Sequence, residues 1–251
     1  MILLELDAPL ATITLNRPDR HNSLTPALLE RLLAALAEVK AQLAVQVVVL
    51  QANGRSFSTG GDLQGFADHL EDIQDYARQI VGLLNQTMLA MIDLPVPIIA
   101  AVQGVVTGGS LGLVLAADLV LVTSQASFMP YYSIVGFSPD GGWTALLPEI
   151  IGQKRATDLL LTNGTLSAQQ ALTYGLASRL SSAEDVHREA RELAFSVAAM
   201  HPGAVQRIKR RLWADLPIAQ RLEDERQHFV EQIGTSETQA SMLAFLSNLK
   251  R

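Results

Sequence analysis

The sequence predicts an α/β fold of parallel strands covered by helices, followed by a helical C-terminal part. Three observations point there. Short apolar runs at Val45–Leu50, Val96–Val102 and Leu119–Val122 read as strands buried on both faces, as a parallel sheet requires. Segments with helical spacing separate them, which gives the strand–helix alternation of an α/β chain. After about Pro148 nearly every segment reads as helical.

In order along the chain, Leu3–Leu6 and Ala11–Leu15 are short strands joined by the turn Asp7–Ala8–Pro9. Asn16–Asn22 is polar, carries Pro18 and is a loop. Thr25 before Pro26 is a helix start, a capping hydroxyl followed by proline at the first helical position. Leu28, Leu29, Leu32, Leu33, Leu36, Val39 and Leu43 then mark one apolar face, read as core. Asn53–Asp62 and Gly104–Gly109 are glycine-bearing loops. Ile73–Met91 is helical, with Pro95 and Pro97 beyond its end, and Ser110–Ala117 is a shorter helix. Lys154–Thr162, Ser167–Tyr174, Ala183–Met200, Gly203–Trp213 and Pro217–Asn248 are helices, and Ala177–Leu180 is a candidate strand. With no repeat and no linker, residues 1–195 form the expected α/β core and residues 196–251 a dependent helical region.

Composition narrows the functional classes. At 49 % hydrophobic and 18 % charged, the 251 residues can bury a large core. A net charge of −6 disfavours non-specific binding to nucleic acid or anionic membranes. The absence of cysteine excludes disulfides, thiol nucleophiles and Cys-ligated metals, and fits a reducing cytoplasm. Met1–Asp7 has no signal-peptide pattern, and no apolar run is long enough to span a bilayer. His21 and His69 show no metal-ligand spacing, so no metal is expected.

Two glycine loops follow buried strands: Arg55–Leu63, with Gly60–Gly61, and Gly104–Ser110, with Gly108–Gly109. Paired glycines let backbone approach a ligand closely. A helix beginning near Ser110 would add the positive end of its dipole. Two such loops on neighbouring strands can aim two N–H donors at one oxygen, and each donor in such an oxyanion hole is worth ~3 kcal/mol in a transition state. Either loop alone is equally a turn. Neither is a phosphate loop, since no Gly-Lys-Ser/Thr follows.

The stretch Leu15–Leu24, the Phe57–Leu63 loop, the Gln103–Gly109 loop and Leu166–Ala171 through Gly175–Leu176 together resemble the crotonase (enoyl-CoA hydratase/isomerase) superfamily, in its order and spacing. The resemblance covers nearly the whole chain. It implies a crotonase-like spiral of ββα units with a helical C-terminal trimerisation region, in a homotrimer or hexamer. It implies an acyl-CoA thioester as substrate and no cofactor beyond that coenzyme A moiety. It places Gly61 and Gly109 as oxyanion-hole donors, and Arg20, Ser23, Thr59, Gly60, Asp62 and Leu63 along the coenzyme A path. Lys209 matches a position near the coenzyme A phosphates only loosely.

The hydratase pattern of two glutamates is missing. Gly112 stands at the first position, and Tyr131 and Tyr132 follow Pro130 where the second is expected. Asp140 lies in a segment similar to the 1,2-epoxyphenylacetyl-CoA isomerase-like branch, which implies that it is the acid/base. A single carboxylate suits a double-bond shift, and burial among Phe128, Tyr132 and Phe137 would raise its pKa toward neutrality. Read without the resemblance, Asp140 is a turn residue or a helix cap. An isomerase is therefore expected, ahead of a hydratase with an atypical site and a non-catalytic acyl-CoA binder. A serine hydrolase is the other alternative, because Gly108–Gly112 matches Gly-x-Ser-x-Gly around Ser110, with His187, His201 and His228 downstream.

Overall fold

A computed structural model describes residues 1–182 and 184–249, the last without its side chain. Strands β1 (Ile2–Asp7) and β2 (Leu10–Leu15) form an antiparallel hairpin. Helix α1 (Pro26–Ala41) starts where Thr25 Oγ1 accepts the Leu28 N–H at 3.2 Å. Its buried stripe is Leu28, Leu29, Leu32, Ala35, Leu36 and Val39. Leu43, expected on that stripe, lies beyond the helix end and is 99 % exposed.

Three strand pairs follow: β3 (Val47–Ala52) and β4 (Ser56–Ser58), β5 (Ile98–Val102) and β6 (Val105–Thr107), β7 (Leu119–Thr123) and β8 (Ser127–Met129). Helices α2 (Leu63–Asp68) and α3 (Ile73–Asp93) follow the first pair, α4 (Leu111–Leu115) the second and α5 (Tyr132–Val135) the third. After α6 (Leu147–Ile151) and α7 (Gln153–Leu161) come β9 (Leu166–Ser167), α8 (Ala168–Tyr174) and β10 (Arg179–Ser181). Helices α9 (Val186–Ala198), α10 (Pro202–Trp213), α11 (Ile218–Ile233) and α12 (Ser236–Leu249) complete the described chain. Ala183, where the sequence starts the helix now called α9, lies outside the described residues.

Each pair sends its first strand to one sheet and its second to another. The larger sheet runs β1-β2-β3-β5-β7-β10, parallel from β2 onward. The smaller runs β4-β6-β8-β9. This is the ββα spiral that the resemblance implies. Continuous apolar strands are explained by their two covered faces. Val47, Val49, Ile99 and Ala101 pack against Val186, Ala190 and Leu193 of α9. Val48, Leu50, Ile98 and Ala100 face the main core.

Three expectations are corrected. The two glycine loops are not irregular throughout, since β4 and β6 lie inside them and pair in parallel. Gly104 permits the crossing between them, because a side chain there would overlap the Arg55 carbonyl. The helix expected over Ser110–Ala117 is a 3-10 turn at Gly108–Ser110 leading into the five-residue α4, too short for a strong dipole. The helix expected over Pro217–Asn248 breaks at Gly234–Thr235 into α11 and α12. Gln74 fills the space a side chain at 234 would need, and Thr238 Oγ1 donates to Gly136 O at 3.0 Å, which turns α12 back over α5. Among the described residues no helix is long and apolar enough to cross a membrane.

Candidate active site

The two glycine loops are locked together before they line anything. Ser110 Oγ donates to Ser58 O (2.9 Å) and Thr107 O (2.7 Å), joining the end of β4 to the end of β6. Gly60 sits between them at φ +76°, where a Cβ would fall 2.6 Å from Thr107 O. Gly60 is therefore a packing glycine behind the wall; it does not line the cavity with Thr59, Gly61, Asp62 and Leu63. Leu24 N–H donates to Gly60 O (2.7 Å) and Asp62 N–H to Leu24 O (2.9 Å). That bridge flanks Gly61 without using its N–H.

Asp62 organises the exposed end. Its carboxylate caps α2 through the Gln64 N–H, accepts the Ser23 hydroxyl at 3.2 Å, and pairs with Arg17 at 3.2 Å and Arg20 at 3.5 Å. Arg20, Ser23 and Asp62 thus form one cluster, and Arg17, unmarked in the sequence reading, fastens it from behind. A cavity of about 670 Å³ is lined by Arg20, Ser23 and Asp62, by Gly61 and Gly109, and by the apolar side chains of Leu84, Phe66, Phe137 and Phe229. Phe137 and Phe229 meet edge-on at 5.3 Å between centroids.

Asp140 lines the same cavity and is 8 % exposed. Its carboxylate lies over Gly109, where a Cβ would sit 2.8 Å from Oδ2 and 3.0 Å from Oδ1. The Tyr132 hydroxyl donates to Asp140 Oδ1 at 2.5 Å. Burial pushes the Asp140 carboxyl up to about 7, the Tyr132 hydrogen bond opposes this, and the charge of Glu225 adds to it. Burial, then the Asp140 charge, raises the Tyr132 phenol well above its ordinary value, so it stays a donor. Tyr132 bonds to Asp140 and Phe137 lines the same cavity, but Phe128, expected beside them, is fully buried in β8 and does not line it. The residues after Asp140 form turns rather than a helix, so Asp140 caps nothing.

Gly112 is not an empty slot for a hydratase glutamate. A Cβ there would lie 2.5 Å from Met88 Sδ and 3.0 Å from Gly141 O. Tyr131 does line the cavity, held at φ +60°.

Ser110 has no solvent exposure, and its hydroxyl proton is directed at backbone carbonyls rather than at a histidine. It is a loop fastener, which removes the ground for the hydrolase reading. Wild-type protein is expected to resist fluorophosphonate labelling, and Ser110→Ala to lower unfolding free energy by about 1–3 kcal/mol in a denaturant titration, because the Ser58 and Thr107 carbonyls lose the single O–H donor they share. Lys209 is likewise corrected. It is 5 % exposed, pairs with Asp118 at 2.9 Å, and donates to Met91 O and Val96 O, away from the cavity.

The sequence reading missed Glu225. This α11 carboxylate, 4 % exposed, accepts hydrogen bonds from Gly142 N (2.7 Å), Thr144 N (2.6 Å), Thr144 Oγ1 (2.6 Å) and Ala145 N (2.9 Å). Nothing local to Glu225 announces partners 80 to 83 residues upstream.

A family model described as enoyl-CoA hydratase/isomerase matches residues 5–251. The chain belongs to the enoyl-CoA hydratase/isomerase family. Within it, the chain is 34 % identical to the trans-2-decenoyl-[acyl-carrier-protein] isomerase of Streptococcus mutans, over 74 % of this chain and 72 % of that protein. It is 32 % identical to the 1,2-epoxyphenylacetyl-CoA isomerase of Escherichia coli, over 78 % and 76 % respectively. The enoyl-CoA hydratase structure from Bacillus halodurans superposes with a TM-score of 0.89 at 25 % identity, covering 97 % of this chain and 99 % of that one. As a member of this family the protein is an acyl-CoA enzyme of the crotonase fold.

Proposed function

We propose that this family member shifts a carbon–carbon double bond in an acyl-CoA thioester, with Asp140 as the single acid/base. The observation that carries the reading is the buried Asp140 carboxylate on the cavity wall, raised toward neutrality, whereas Asp62 on the same wall is paired with Arg17 and Arg20, and Gly112 and Tyr131 stand where a hydratase would place its glutamates. The thioester carbonyl docks against the N–H groups of Gly61 and Gly109, which share one cavity with Asp140. Ionised Asp140 takes the α proton of a 3-enoyl thioester. The C–H electron pair passes into a dienolate, whose oxygen the two N–H groups stabilise. Protonated Asp140 then returns the proton to the γ carbon, leaving a 2-enoyl thioester. No water is consumed, and no cofactor is needed beyond the coenzyme A of the substrate. Arg20, Ser23, Thr59, Asp62 and Leu63 line the end of the cavity assigned to coenzyme A. The relatives' names include both isomerases and hydratases, so the assignment rests on Asp140 and on residue 112.

The test is to incubate the protein with 3-enoyl-CoA esters in deuterated water and analyse the product. A conjugated 2-enoyl-CoA is expected, with deuterium at the γ carbon to the extent that the Asp140 proton exchanges. A product one water heavier, 3-hydroxyacyl-CoA, would replace this reading with that of an atypical hydratase.

A further inference from the structure

We propose that Glu225 is a positioning residue for Asp140, gripping from α11 the turn that carries the acid/base and presenting its negative charge behind it. This rests on the reading of Asp140 as the proton carrier.

The turn needs such a grip. Gly141 and Gly142 follow Asp140 at φ +64° and +86°, a left-handed path that neither helix nor strand bonds hold. On one side the turn is pressed against Gly109, where a Cβ at Gly141 would overlap the Gly109 backbone. On the other side the N–H groups of Gly142, Thr144 and Ala145 converge on Glu225. Burial raises the Glu225 carboxyl above its ordinary value, and the hydrogen bonds from Thr144, Gly142 and Ala145 oppose that rise; backbone N–H groups can only donate, so this nest matches the ionised carboxylate. Arg221, one turn earlier on α11, is engaged with Glu149 (2.6 Å) and Ala145 O (3.3 Å). The groups facing Asp140 are then Tyr132 from α5 and Glu225 from α11, while Leu84 from α3 and Gly109 bring no charge. Tyr132 favours the ionised form of Asp140 and Glu225 the protonated form.

The experiment compares full-length wild type with Glu225→Gln, which keeps size and one acceptor oxygen but removes the charge. Asp140 is titrated directly by carboxyl difference infrared spectroscopy, its band assigned with Asp140→Asn, and 3-enoyl-CoA isomerisation is followed across pH. Loss of the charge should move the Asp140 midpoint and the acidic limb of kcat/KM to lower pH. Loosening of the turn should lower kcat by about 10-fold to 10²-fold with little change in KM. A midpoint, pH profile and kcat all equal to wild type would overturn the proposal. If Glu225→Gln fails to fold, hydrogen exchange in the wild type decides: the amides of Gly142, Thr144 and Ala145 should exchange as slowly as the buried strands, and rapid exchange there would overturn it. If no isomerisation occurs but the Asp140 midpoint moves, the function proposed above fails and the role of Glu225 stands.

Discussion

Asp140→Asn is expected to remove turnover and, above neutral pH, to stabilise the protein. The first effect follows, on the proposed mechanism, from losing its proton carrier, which is worth about 10²–10⁴ in rate. The second follows from burial. The folded-state pKa of Asp140 is raised from 3.8 to about 7. A raised carboxyl contributes stability that is complete below pH 3.8 and is lost as pH rises through about 7. Above that, the fold holds a buried charge. The shift of roughly 3 units sets an upper bound of about 4 kcal/mol. Asparagine keeps the shape and an acceptor for Tyr132 without the charge. A gain of about 1–3 kcal/mol at pH 8 is expected, each kcal/mol raising Tm by about 2–4 °C. The gain should shrink by pH 5. Thermal melts at the two pH values check this, and equal melting at pH 8 would contradict it. The wild-type kcat/KM should correspondingly rise with pH through about 7 as Asp140 ionises.

Gly109→Ala should be nearly as damaging to activity for a purely steric reason. Gly109 is not among the glycines at positive φ, so the backbone tolerates alanine there. The new methyl would lie 2.8 Å from Asp140 Oδ2 and 2.9 Å from Leu84 Cδ2. The carboxylate must move, and a displacement of that order costs about 10²-fold in kcat. Overpacking should also cost about 1–3 kcal/mol of stability, read by denaturant unfolding. Because the clash is largely with Asp140, the stability costs should not add in the double variant with Asp140→Ala. Strict additivity there would show that Gly109 and Asp140 do not share a wall.

Much of this was legible in the sequence, for reasons that can be named. Thr25–Pro26 fixed the start of α1 because capping is local chemistry. Runs such as Val45–Leu50 showed the buried strands because both faces of a parallel sheet are covered. β4 and β6 stayed hidden, since three residues carry no period and exist only through each other. The missing glutamates were legible by resemblance, whereas the reason a side chain does not fit at 112, Met88, sits on another helix. Asp140 became a candidate only through resemblance, as its local sequence reads as a turn. Glu225 and Lys209 look like solvated helix charges, and only tertiary contacts bury them.

The packing of Met88 over Gly112 also limits what residue 112 can become. A glutamate arriving at 112 would meet the Met88 sulfur and the Gly141 carbonyl before it met a substrate. Both the Met88 side chain and the turn that follows Asp140 occupy the space such a carboxylate would need. Met88 is thus a steric gate on residue 112: Gly112→Glu alone would collide with it, and room for that carboxylate requires residue 88 to change as well.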